Sequence, residues 1–505
     1  MGDHGADLAL YDCLELAVRP RCAAFPVGTL HDQLRLVHVP HGPLAMSSTA
    51  HFDLLVLGGG AAGLAAARAA RWEDATVALI SDAPLGGDCT FSGCVPSKSL
   101  IEASRQGKNF GEALLHVQRV VERIASAENA AVLRGEGVDV IPARGTLVGP
   151  KQIRVTSAGG ETRTISGDKV IIATGSRPAA PPIPGLDQVP YRTNEAFFEM
   201  RPQPQTLVII GAGAIGCELS EAMARLGTDV TLVDAAPRVL GRYEPDASAL
   251  VDAGLRSHGV DVRVSTGVQR VSYRKGMFHV DLGDETLEAD EVLVATGRVP
   301  HTGGLGLNAA GVQLSEQGYI AVDKHLETNV KGVFAAGDCN GIQMLSHAAD
   351  EMGRTAAWTA LRTGRRYKYD PKRIPHAVFT TPEVAAIGVI EAEAPDGASV
   401  AEISMESNDR ALAAGQPEGF VRLIARPTLV TRHRAGGKVI GATIVGGRAG
   451  EMINEVALIM RSNAYGFRLA QSVRVYPSWS TVMQKAATRW FYEYEGESAR
   501  PPRRS

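Results

Sequence analysis

The pattern strand, G-x-G-x-x-G, helix, strand occurs twice in this sequence, and a chain that carries it twice is directed towards a parallel α/β architecture. Residues 53–57, D-L-L-V-L, form an apolar run of the length of a buried strand. Gly58, Gly60 and Gly63 follow, an alanine-rich helix is expected to about Arg71, and T-V-A-L-I at 76–80 supplies the second strand. Glycines suit these positions because the turn is tight, the backbone must approach a pyrophosphate, and the helix packs closely on the strand. The N-terminus of that helix then faces the negative charge. The second copy runs from T-L-V-I-I at 206–210 through Gly211, Gly213 and Gly216, along a helix to about Leu226, to V-T-L-V at 230–233. One copy alone is also compatible with a strand–helix turn that binds nothing. Two copies about 150 residues apart imply two dinucleotides, or one working site and one relic.

The copies differ where their second strands end. Asp234 stands 23 positions after Gly211, where a carboxylate accepts hydrogen bonds from a ribose 2′-OH and favours NADH. Arg238 is nearby, and arginine pairs with a 2′-phosphate, so NADPH stays open. The same spacing from Gly58 reaches Ser81; Asp82 follows it and serves if the strand ends one residue later. V-I-I-A-T-G-S-R at 170–177 and V-L-V-A-T-G-R at 292–298 are near-duplicates, each read as a buried strand ending in a glycine turn where the chain crosses between domains. G-V-F-A-A-G-D at 332–338 ends another strand with an aspartate placed to bind a polyol.

G-G-D-C-T-F-S-G-C-V-P-S-K, residues 86–98, sets Cys89 and Cys94 close together. A structural zinc site wants four ligands, usually as two close pairs, and no second pair is present. A passive disulfide across so short a loop contributes little, because the stabilisation grows with loop length. A redox-active disulfide is the best reading. Pro96 suits the first turn of a helix, which places Cys94 near a helix N-terminus where the dipole favours a thiolate. Lys98 is either on a solvated helix face or buried, and if buried it needs a partner, for which Glu218 is the candidate.

The chain has 505 residues, too many for one hydrophobic core, and its formal net charge of −3 implies no polyelectrolyte partner, so nucleic acid is not expected. No apolar run reaches the roughly 18 residues of a membrane helix. The scattered Cys13, Cys22, Cys217 and Cys339 fit a reducing, cytoplasmic location better than a disulfide-stapled secreted protein. Residues 1–45 carry four histidines and several acids without clear periodicity, and fit neither a secretory signal nor a transit peptide. They are read as non-catalytic, either a poorly ordered extension ahead of Met46 or an upstream start-site artefact.

With the cysteine motif between two dinucleotide units, residues from about Phe52 to Ala487 resemble class I pyridine nucleotide–disulfide oxidoreductases, such as dihydrolipoamide dehydrogenase, glutathione reductase and mercuric reductase. A-T-G-S-R-P, A-T-G-R-V-P, A-A-G-D and F-T-T-P-E-V-A-A-I-G (379–388) fall in that family's order. The resemblance implies two Rossmann-like domains and a C-terminal α+β dimerisation domain. FAD would occupy 46–178 with 302–368, NAD(P)H would occupy 179–301, and 369–490 would form a homodimer interface, with 491–505 a tail. It further implies that Cys89 is the interchange thiol, Cys94 the flavin-proximal thiolate, and Lys98–Glu218 an ion pair beside the flavin. Asp338 would contact the ribityl chain, and Met344 to His347 would line the flavin. Gly87, Gly145, Thr174 and Gly175 belong to the implied FAD site, and Gly297 to the nucleotide sites. No metal is implied.

The pattern breaks near the C-terminus. Disulfide-reducing members carry His-Pro-Thr followed by a glutamate there, an acid/base supplied from the other subunit. Here V-Y-P-S-W-S-T, residues 475–481, puts Tyr476 in the histidine's place and Thr481 in the glutamate's. Tyrosine, with an ordinary pKa near 10, is a poor proton shuttle. Mercuric reductase shows a tyrosine in this region but also uses a C-terminal cysteine pair, and this chain has no cysteine after Cys339. His301 stands where the family commonly has Asn. The expectation is an FAD-dependent NAD(P)H oxidoreductase with a redox-active Cys89–Cys94 pair and a small-molecule acceptor. Its rivals are direct transfer from flavin to a quinone or dye, Hg(II) reduction, and a non-catalytic flavoprotein scaffold.

Overall fold

The first glycine motif joins the strand His51–Leu57 to the helix Ala61–Trp72, and the chain returns along Val77–Ser81, in a computed structural model that describes residues 50–428 and 436–503. The expectations for residues 1–45 lie outside the described residues. Leu54, Leu55 and Val56 are fully buried because both faces of a parallel sheet are covered, and this is why the strand reads as a continuous apolar run. Each such side chain contributes about 1.5–3 kcal/mol by burial.

Four strands of that sheet run parallel, in the order Asp139–Pro142, Val77–Ser81, His51–Leu57, Thr162–Ile172. The other edge of the long strand Thr162–Ile172 pairs antiparallel with Gln152–Thr156 and, nearer its end, parallel with Val333–Ala335. That last pairing returns the distant G-D segment to the first motif. The helix Ser346–Leu361 then packs on Ala61–Trp72 so closely that a Cβ at Gly353 would stand 2.2 Å from the Ala62 carbonyl oxygen. Only glycine permits that approach.

The second motif builds its own parallel sheet, in the order Val260–Arg263, Asp229–Val233, Thr206–Ile210, Glu291–Val294. Three antiparallel strands, 270–274, 277–281 and 286–289, flank it. The near-duplicate segments mark the crossings: Ser176–Pro178 on the way out pairs antiparallel with Arg298–Pro300 on the way back.

Beyond residue 375 a five-stranded antiparallel sheet runs in the order His376–Val378, Glu383–Gly388, Lys438–Gly446, Phe420–Arg426, Ser399–Ser404. The helices Ala449–Arg461 and Thr481–Thr488 cover it with Met452, Ile453, Val456, Val482 and Met483. The segment expected as a tail is tied down instead. Arg500 and Val400 exchange backbone hydrogen bonds of 2.7 and 2.9 Å, and the Arg500 guanidinium pairs with Glu391 and Glu402. The reason is charge: Arg422, only 4% exposed, sits among Glu244, Asp246, Glu391 and Glu402. One buried cation cannot balance that many carboxylates, and Arg500 supplies the second.

Candidate active site

The helix that follows Gly93 places two functional side chains on one face. Cys94 is its first residue and Lys98 lies one turn on, with Pro96 in the first turn. Lys98 Nζ is 2.6 Å from Glu218 Oε2, on the helix Ala214–Arg225 of the second motif, and Glu218 is almost fully buried. The other oxygen of Glu218 accepts the Phe379 N–H at 3.0 Å, and the Phe379 ring lies 5.0 Å from the Lys98 ammonium. Both charges are therefore compensated, by each other and by Phe379, in the connection between the first two strands of the C-terminal sheet.

Cys89, in the short helix Gly87–Phe91, and Cys94 are free thiols that interact with each other. The hydrogen bond from Cys89, the Ser346 hydroxyl 3.1 Å away and the positive charge of Lys98 hold Cys94 below the usual thiol range, against the cost of burial. Cys89 is pushed the other way, by donating to Cys94, by burial and by the negative charge beside it. The two shifts run in opposite directions, Cys94 towards the thiolate and Cys89 towards the thiol. The segment around them is clamped from outside. Asn194 donates to the Ser92 carbonyl at 3.0 Å, Thr90 donates to Glu128 at 3.1 Å, and Arg298 pairs with Asp88.

The thiols open into a cavity of about 1090 Å³. Gly58, Gly60, Ser81, Asp82, Gly87, Gly145, Thr174 and Gly175 line it, together with Cys89, Cys94, Lys98, Glu218, Asp338, Met344, His347 and His301. Gly63 does not: a Cβ there would lie 1.9 Å from the Gly58 carbonyl oxygen, so its role is helix–strand packing. Burial raises the Asp338 carboxyl above the ordinary range, while the Ser176 hydroxyl, donating at 2.6 Å, and Arg298 oppose that shift. His301 is tied by its backbone to Gly175 and Thr174.

The cavity suits FAD. Gly60 begins the helix Ala61–Trp72 without a side-chain cap, and a Cβ there would meet nothing within 4 Å, so the first N–H groups of the helix face open space. The Asp338 carboxyl and the Lys98–Glu218 pair also line the cavity. FAD would be held by these groups.

Gly211, Gly213, Gly216, Asp234 and Gly297 form no part of this cavity. Gly213 also begins an uncapped helix with open space where its Cβ would be. Asp234 follows the strand directly, and its two oxygens accept the Ala212 and Ala236 N–H groups at 2.6 and 2.7 Å. Arg238 turns inward and donates to the Gly241 and Tyr243 carbonyls. In the first motif the strand ends at Ser81, so Asp82 does follow it; yet Leu57 pairs with Ile80 as Ile210 pairs with Val233, which makes Ser81 the counterpart of Asp234.

Tyr476 is not brought to the cavity of its own chain. It is 72% exposed and donates to Asp409 at 2.6 Å, which holds the phenol above its ordinary range. Asp88 and Arg298, which the motifs did not single out, stand near the thiols, and Ser346, inside the stretch 344–347 read as flavin-lining, meets Cys94. The first two were visible inside G-G-D-C and A-T-G-R but carried no local sign of pairing across 210 positions. Among the described residues no helix is long and apolar enough to cross a membrane, and no group of three or more His, Cys, Asp or Glu is placed to hold a metal ion.

Residues 52–353 match the family model described as pyridine nucleotide-disulphide oxidoreductase, and residues 374–487 match the dimerisation domain of the same family, which indicates a homodimer. Mercuric reductase from Acidithiobacillus ferrooxidans is 32% identical over 445 residues, covering 84% of this chain and 80% of that protein. Dihydrolipoyl dehydrogenase from Bacillus subtilis is 30% identical over 457 residues, covering 86% and 97%. Among solved structures, the HOCl-induced flavoprotein disulfide reductase RclA from Escherichia coli, as its Cu(II) complex, superposes with a TM-score of 0.78 at 27% identity over 87% of this chain and 99% of that one.

Proposed function

The chain belongs to the pyridine nucleotide-disulphide oxidoreductase family, whose members use FAD and NAD(P)H, and from that premise we propose that its Cys89–Cys94 pair is the redox centre through which electrons from NADH reach a thiol-reactive acceptor. The observation that carries the reading is the pair of free thiols lining the glycine-lined cavity, with the Lys98–Glu218 pair in the same lining. When bound, FAD supplies the two-electron link between nicotinamide and disulfide.

The chain's own groups do the rest. Cys94 keeps its negative charge at the helix N-terminus, and Cys89 holds the proton until an acceptor arrives. With a disulfide acceptor, the Cys89 sulfur gives up its proton and bonds to one acceptor sulfur. The displaced sulfur leaves with that proton, and the Cys94 thiolate attacks the Cys89 sulfur, breaking the mixed disulfide so that the internal S–S bond closes and the other acceptor sulfur departs as thiolate. Asp234 supports NADH over NADPH, because its carboxylate stands at the strand end while Arg238 is committed to backbone carbonyls.

Tyr476 and Thr481 in place of an imidazole and a carboxylate support acceptors whose leaving atom needs little proton assistance. A disulfide with an acidic leaving thiol meets that condition, since low-pKa thiolates leave faster. A thiophilic metal ion also meets it, and the mercuric reductase relative makes Hg(II) a second reading, weighed against the lack of any cysteine after Cys339. The test is NADH oxidation by wild type and Cys89→Ser with lipoamide, glutathione disulfide, an aromatic disulfide, a soluble quinone and Hg(II). The reading expects one thiol-reactive acceptor to be turned over and the variant to lose about 100-fold or more. Turnover of the quinone alone, equal in both proteins, sinks it.

A further inference from the structure

We propose that Ser346 belongs to the dithiol site, where its hydroxyl donates a hydrogen bond to the Cys94 sulfur of the reduced pair and thereby sets how readily the disulfide accepts electrons. The inference rests on the dithiol reading above. Ser346 Oγ and Cys94 Sγ lie 3.1 Å apart although 252 positions separate them in the chain.

The placement is held by packing. Ser346 is the first residue of the helix Ser346–Leu361, and the Gly353–Ala62 approach fixes that helix against Ala61–Trp72. A serine farther along a helix returns its hydroxyl to the carbonyl one turn back; in the first position there is no such carbonyl. The hydroxyl therefore turns outward to Cys94 at 3.1 Å, and it also reaches Cys89, where it acts against that thiol's upward shift. Neither this helix nor Cys94–Arg105 has a side-chain cap at its N-terminus, so the sulfur lies where two helices present donors.

The charged and titratable groups around the sulfur leave room for a neutral donor to matter. Lys98, one turn along the same helix, is committed to Glu218 at 2.6 Å, so each charge of that pair offsets much of the other's field at Cys94. Cys89 donates from its own short helix. His347, next to Ser346, also lines the cavity, and its Nε2 is 2.6 Å from the Pro375 carbonyl oxygen.

Opening the disulfide breaks the S–S bond with two electrons, which NADH supplies, and one proton, which Cys89 takes; Cys94 keeps the negative charge. In the disulfide that charge is absent and the hydroxyl loses its anionic acceptor. The hydrogen bond thus favours the reduced state and, within it, the Cys94 thiolate. Bonds to charged groups are the strong ones, so its loss shifts each equilibrium about tenfold.

The test uses the flavin-loaded holoenzyme as wild type, Ser346→Ala and Ser346→Thr, equilibrated in glutathione redox buffers, quenched with acid, alkylated and counted by mass. Ser346→Ala is expected to need about 30 mV more reducing conditions for half-reduction, the equivalent of that tenfold change. The pH at which the long-wavelength absorbance of thiolate against flavin appears is expected to rise by about one unit. Ser346→Thr keeps the hydroxyl and is expected to restore both. If Ser346→Ala leaves both values unchanged, or if threonine fails to rescue them, the assignment is overturned while the dithiol reading stands. If wild type itself shows no disulfide that NADH can open, the dithiol reading falls and this inference with it.

Discussion

Gly58 and Gly211 share a backbone φ of +112°, and a Cβ at Gly63 or Gly216 would stand 1.9 or 1.8 Å from the carbonyl oxygen of the first glycine in its own motif. The two units are close copies in these respects and part company one strand later. Asp234 braces the second glycine turn through the Ala212 N–H, whereas the hydroxyl of its counterpart Ser81 donates to the Ala83 carbonyl at 2.9 Å. The first turn is held from elsewhere: Gly86 N–H donates to the Gly59 carbonyl at 2.9 Å, and Ser81 and Leu85 crowd Gly59. The cavity is lined by Gly58, Gly59 and Gly60 of the first turn, whereas the second motif contributes Ala214 and Ile215 but none of its three glycines. The same backbone device thus recurs with different support and different access to the cavity.

The largest effect expected from breaking this comparison comes from the open glycines. A Cβ at Gly60 or Gly213 meets no protein atom within 4 Å, so valine there fills the ligand's space without a clash. Gly60→Val is expected to purify with little flavin. Gly213→Val is expected to keep its flavin but to lose NADH-driven reduction by about 100-fold or more. Absorbance spectra of the two proteins, followed by anaerobic mixing with NADH, measure both, and equal flavin loss would make the units equivalent.

Stripping the flavin comes next. A ligand that binds only the native state stabilises it by about 4 kcal/mol at a thousand times its Kd. Calorimetry is expected to show a clear fall in Tm on flavin removal and a much smaller rise on adding NADH to the holoenzyme. Asp234→Ala is expected to raise the KM for NADH about tenfold with kcat little changed, because it removes binding common to ground and transition states. The smallest effect is expected from Arg238→Ala. Its guanidinium is spent on two carbonyls, so the ratio of kcat/KM for NADH to that for NADPH should shift by less than about threefold, within about 0.6 kcal/mol. A large gain in discrimination on that substitution would place Arg238 at the 2′-phosphate after all.

Much of this molecule could be read locally. The glycine spacings, the apolar strands beside them and the proline after Cys94 are each short-range patterns, and the strand at 206–210 lies where its residues put it. The strand read at 76–80 lies one residue later, at Val77–Ser81, an error of the size that a continuous apolar run invites, since every position in it is equally buriable. The docking of residues 491–503 was not legible, because it depends on charge carried by Glu391, Glu402 and Arg422 from other strands.

The sequence by itself determined the two dinucleotide-binding units, the cysteine pair between them and the loss of the histidine and glutamate near the C-terminus, because each is written in residues close together or at set spacings from a glycine. Only the tertiary structure decided that Ser81 rather than Asp82 is the counterpart of Asp234, that Arg298 holds Asp88, and that Ser346 meets Cys94. Those three follow from strand register and helix packing across up to 252 positions, and a side chain's partner at that range is set by how the layers stack, which no local pattern encodes.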